Sequence, residues 1–173
     1  MDKVKRIAFT GVLASLALVL AAFESMLPPI PGYPPGAKLG LSNIAVMFAA
    51  SSLGLPTAVG VALIKGCFAF LTRGLTAGVM SLLGGLFSTL VMWLCLKKTG
   101  FSLILTGVLG ALTHNLAQLL AAYWLTSTSV LFYIPPMLIL GILSGILTGA
   151  VLRVILPVLN RAAIFFQLPM KKP

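Results

Sequence analysis

Few side chains in this sequence could do chemistry, and most of them stand where hydrocarbon would surround them. His114, Asn115 and Gln118 share one apolar run, Glu24 lies near the end of another, Lys65 in the middle of a third and Asn43 early in a fourth. Residues four apart share a helix face, so His114 and Gln118 sit one turn from each other with Asn115 beside them. That trio offers donors and acceptors suited either to a polar ligand or to a hydrogen-bond network that ties helices together. A charge near the bilayer centre costs on the order of 3 kcal/mol, so Lys65 and Glu24 are expected to face a cavity or a partner. Lys65 has three roles open to it: a neutral amine, a partner of Glu24, or a counter-charge for an anionic ligand. Lys38 and Arg73 stand at the ends of runs, where they either lie among headgroups or attract an anion.

Other chemistry is excluded by what is missing. Asp2 and Glu24 are the only acidic residues. Holding magnesium on a diphosphate takes clustered aspartates, and acid–base hydrolysis commonly takes paired carboxylates, so neither can be assembled. The sequence has no G-x-x-x-x-G-K-[ST] loop for nucleotide hydrolysis. Cys67 and Cys95 stand apart inside apolar stretches, with no C-x-x-C spacing and no second histidine, and are expected to be buried free thiols rather than a disulfide or a metal site. No catalytic residue, metal or cofactor is expected.

The elements that must position these residues are membrane helices. Of 173 residues, 60% are hydrophobic and 8% charged, and the mean hydropathy is +1.13. With roughly 20 apolar residues per crossing, that length suits a single all-α membrane domain over residues 1–173 with about six spans. The runs cover about 7–27, 39–55, 57–72, 75–96, 101–125 and 133–156. The second and third are short and are split at Leu53-Gly54-Leu55-Pro56, because proline disfavours helix at the preceding residue; a tight helical hairpin is expected there.

The net charge of +10 reports topology rather than nucleic acid, since the cations sit at the ends of apolar runs. Lys3, Lys5, Arg6, Lys97, Lys98, Arg161, Lys171 and Lys172 gather on one side and Lys38 with Arg73 on the other, which puts both termini in the cytoplasm of a multi-pass cell-membrane protein. Between the first two runs, Pro28 to Lys38 carries five prolines and forms a stiff extended loop, a cap for a site beneath it or a rigid connector. Small residues recur at four-residue spacing: Gly74 with Gly78, Gly141 with Gly145 and Gly149, and Ala17 with Ala21. Such faces let helix backbones approach closely, within the bundle or against a partner membrane protein.

Two stretches, PGAKLGLSNIAVMF after the first run and GALTHNLAQLLAAYW in the fifth, resemble the Gx transporter family, whose members are often labelled heptaprenyl diphosphate synthase component I. The family is similar to the substrate-binding S components of energy-coupling factor (ECF) importers. This resemblance implies a six-helix S-component-like bundle that binds a small molecule near the outer face and docks on a coupling protein driven by ATPase subunits. It also implies a small-residue docking patch on the first helix, matched in spacing by Ala17 and Ala21 and, nearer the cytoplasm, by Gly11 and Ser15. The expected substrate lining is Glu24, Lys38, Asn43, Lys65, His114, Asn115 and Gln118, for a vitamin, a flavin or an isoprenoid or quinone precursor. The alternative is a non-catalytic membrane partner of a polyprenyl diphosphate synthase or of a flavin- or quinone-linked redox complex.

Overall fold

The structure, a computed structural model, describes residues 3–27, 40–126 and 131–165, and every regular element among them is helical. Helix α1 spans Lys3–Met26, α2 spans Asn43–Phe48, α3 spans Leu55–Leu94, α4 spans Leu103–Thr126 and α5 spans Ile134–Phe165. A π-helical turn, Ala49–Leu53, extends α2, and another, Cys95–Thr99, extends α3. Four stretches are long and apolar enough to cross a membrane: Lys3–Met26, Leu55–Lys97, Leu103–Leu125 and Ile134–Phe165. The extended α2 is shorter, and its residues from Asn43 to Ala50 are all buried, so it fills the centre of the bundle.

Glycines set the reversals of direction. Gly54, with φ 97°, ends the π turn, and Leu55 starts the next helix with Pro56 in its first turn, where the missing amide hydrogen is not needed. Within α3, Gly74 adopts φ 82° and ψ −177°, a conformation that is costly for any residue with a Cβ. The chain folds back there. Gly66 packs on Leu82 and Gly78 on Phe70, pairs placed symmetrically about Gly74, so residues 55–73 and 75–94 form two antiparallel limbs. The second limb then runs against α4, with Gly84 on His114 and Met92 on Gly110. Helix α1 instead runs parallel to the first limb: Arg6 donates two hydrogen bonds to Thr57 Oγ1, at 3.2 and 3.1 Å, and Thr10 touches Gly60.

The tightest joint lies between α4 and α5. A Cβ added to Gly107 would fall 2.4 Å from the Gly145 carbonyl oxygen, and one on Gly149 would fall 2.5 Å from Ile104 Cα. Gly145 and Gly149 therefore serve packing inside the bundle, bringing two backbones into contact where lipid offers no hydrophobic drive. The sixth run ends before Pro157 in the sequence reading, whereas α5 continues through that residue to Phe165. One proline removes one amide donor, and a long helix packed along its length absorbs that loss. Cys95 is buried as expected, but Cys67 is exposed, on a face of α3 that the periodicity of a uniformly apolar run cannot distinguish.

Candidate functional site

Polar side chains from α1, both limbs of α3, α4 and the turn before α2 converge on one small cavity. It is lined by Glu24, Gly40, Ser42, Lys65, Arg73, Ser81, His114 and Gln118, together with Ala21 and Phe68, and at about 10 Å3 it has room for one water molecule. Lys65 is 3% exposed, Glu24 6% and Gln118 2%. Hydrogen bonds hold the cluster in register. Gly40 N donates to Glu24 Oε1, so the acid fixes the turn that leads into α2. Lys65 Nζ donates to Asn43 Oδ1 at 2.6 Å, tying the first limb of α3 to α2. Arg73, half-buried at the end of that limb, is within electrostatic reach of Glu24.

The His114–Gln118 pair defines the α4 side. Gln118 Nε2 lies 3.0 Å from His114 Nε2, a distance at which the two share a hydrogen bond, and His114 Nδ1 is buried without a hydrogen-bond partner. Gly84 leaves the space both side chains occupy. The other amide atom, Gln118 Oε1, is buried without a hydrogen-bond partner. A buried acceptor left in this way costs about 1–3 kcal/mol, a penalty that a ligand donor or a water in the cavity removes.

Of the residues singled out from sequence, Glu24, Lys65, His114 and Gln118 line the cavity, and Asn43 stands behind Lys65 as its anchor. Asn115 belongs elsewhere: its Nδ2 donates to the Met137 carbonyl at 2.9 Å, stapling α4 to the first turns of α5, on a face about 100° from His114. Lys38, and with it the proline-rich loop, lies outside the described residues. Arg73 was read as a headgroup or anion-attracting residue and was left out of the lining, yet it borders the cavity. Ser42, in the turn before α2, and Ser81, in α3, were missed, and single serines in apolar stretches carry no signal that could have found them. On α1, Ala17 and Ala21 are buried and Ala21 lines the cavity, so they present no exterior face, whereas Gly11 and Ser15 are exposed.

Fold and cluster together define a membrane protein, all helical among its described regular elements, with a small buried polar cavity inside its bundle. Residues 13–165 match the family described as heptaprenyl diphosphate synthase component I, and the chain belongs to that family. Its fold is similar to that of a solved structure, the S component of a bacterial ECF transporter. The TM-score is 0.60 at 23% identity, covering 96% of this chain and 99% of that one. A search of curated proteins gave no match.

Proposed function

We propose that this protein is the substrate-binding membrane subunit of an importer for a small molecule, acting as an S component and without chemistry of its own. One observation carries the reading: Glu24, Lys65, His114 and Gln118, all buried, converge with half-buried Arg73 on one small cavity, and the acceptor Gln118 Oε1 beside it has no hydrogen-bond partner. Charges are kept in such surroundings at a cost that packing alone does not repay. The likeness in fold to an S component supports the same role.

On this reading the six helical legs each cross the cell membrane, with both termini cytoplasmic. A coupling protein with its ATPase subunits would energise the cycle, docking on the exposed face of α1 at Gly11 and Ser15 rather than on Ala17 and Ala21. The substrate is a vitamin, a flavin or an isoprenoid or quinone precursor. Native mass spectrometry of the detergent-purified protein, with organic extraction, tests it: a stoichiometric small molecule is expected, and an empty protein together with uptake indifferent to His114→Ala and Gln118→Ala in cells would sink it.

The family description favours a second reading, a non-catalytic membrane partner of a polyprenyl diphosphate synthase or of a flavin- or quinone-linked redox complex. With Asp2 and Glu24 its only acids, the chain could not supply that synthase's magnesium site itself. Co-purification separates the two: coupling and ATPase subunits point to import, a soluble synthase or flavoprotein to partnership.

A further inference from the structure

We propose that the polar cavity is a hydration site for a single ordered water molecule, which donates a hydrogen bond to Gln118 Oε1. The proposal concerns the substrate-free protein and holds whether or not the chain serves an importer.

The size of the cavity suits one molecule. A water needs about 10–15 Å3 of space open to its centre. This cavity offers about 10 Å3, room for one and not for two. An apolar void of that size stays dry, whereas a polar one holds water when two to four hydrogen bonds can be made there. The lining supplies them in both senses: the Glu24 carboxylate accepts, the Lys65 ammonium donates, and the hydroxyls of Ser42 and Ser81 do either.

The unmet acceptor selects the occupant. Gln118 is 2% exposed, its amide nitrogen shares a hydrogen bond with His114, and its Oε1 is buried without a partner. That oxygen calls for a donor of atomic size. A halide only accepts, so it would leave Oε1 as it was. A monatomic cation or ammonium would stand beside the buried Lys65 ammonium, where like charges repel strongly for want of water. Among the described residues no group of three or more His, Cys, Asp or Glu could hold a metal ion. Water donates, accepts and carries no charge, so it makes no demand on how the charges around it are balanced. One molecule bonded to Gln118 on α4 and to a polar group of α1 or α3 links helices that meet at the cavity.

The test is a crystal structure of the full-length protein from a lipid mesophase, at a resolution that shows ordered water elsewhere. The expected result is one density peak in the cavity, about 2.5–3.0 Å from Gln118 Oε1, with no anomalous signal there after bromide or rubidium soaks. Gln118→Met, of similar length but without the acceptor, should lose that peak. Should the variant fail to fold, the parent protein gives a second reading. His114 is the only histidine, so its ring protons are readily assigned in histidine-labelled protein in detergent, and they should show a nuclear Overhauser effect from water. A cavity without density or water contact overturns the proposal. So does a bromide or rubidium signal, which would make the occupant an ion, or a peak that survives Gln118→Met. None of these failures touches the import reading, which the extraction of a bound compound decides.

Discussion

Lys65 Nζ donates a 2.6 Å hydrogen bond to Asn43 Oδ1, and the two residues, 22 positions apart, lie symmetrically about the Gly54 turn. One bond therefore closes the hairpin of α2 with the first limb of α3 and fixes a buried ammonium beside the cavity. Asn43→Ala should destabilise the protein by about 1.5–3 kcal/mol, because it removes a hydrogen bond donated by a buried charged group. Lys65→Met in that background should recover part of the loss, since it removes the buried charge that the amide had helped to hold. A thermal-unfolding double-mutant cycle in detergent measures the coupling; additive effects would show that the pair is not an energetic unit.

The reversal within α3 depends on Gly74, whose positive φ lets two antiparallel limbs follow without a loop. Gly74→Ala should cost about 1–3 kcal/mol of backbone strain, although nothing within 4 Å would meet the new methyl group. Gly11→Ala is the control: the methyl also meets nothing, but the residue is helical, so stability should rise by about 0.5–1 kcal/mol. Equal effects at the two positions would remove the conformational argument.

The sequence made the polar residues legible because each stands out against hydrocarbon, and four of them meet at the cavity. It could not rank them. His114 and Asn115 are neighbours in sequence yet serve different places, and only the packing of α4 on both α3 and α5 separates the cavity wall from the staple. Hydropathy placed the breaks at Gly54 and Gly74 but not the direction of each helix face, so nothing in it put Ala17, which the family resemblance offered for docking, in the core and Gly11 and Ser15 on the exposed side. Arg73 was hidden for a related reason: at the end of an apolar run, a residue bound for headgroups and one bent back toward Glu24 look alike.

Close contact between α4 and α5 gives a further expectation. In Gly145→Ala the new Cβ would lie 2.4 Å from Val108 Cα and 2.7 Å from the Gly107 carbonyl oxygen, both backbone atoms that cannot turn aside. The helices must separate, at a cost of about 1–3 kcal/mol. Unfolding in detergent should show the loss without any change in partner recovery. A variant as stable as the parent that no longer recovers its partner would assign this face to docking instead.

Gly84 distinguishes a ligand site from a structural knot. Its added Cβ would stand 2.9 Å from His114 Cε1, 3.0 Å from Nδ1 and 3.1 Å from Gln118 Cγ, so Gly84→Ala pushes both side chains toward the cavity. Gly60, on the other limb of α3, meets only Thr10 Cγ2 at 3.9 Å, an ordinary contact, so Gly60→Ala should leave ligand affinity unchanged and, like Gly11→Ala, raise stability by about 0.5–1 kcal/mol. If His114 and Gln118 hold a ligand, Gly84→Ala should weaken its binding at least about tenfold, because misplacing a hydrogen-bonded pair by a few tenths of an ångström loses about the worth of one such bond. Calorimetry with the compound extracted from the parent protein gives the affinity, and thermal unfolding gives the stability. Reduced stability with unchanged affinity would mean that the pair ties α4 to α3 and that the ligand, where one is bound, is held by the charged side of the cluster.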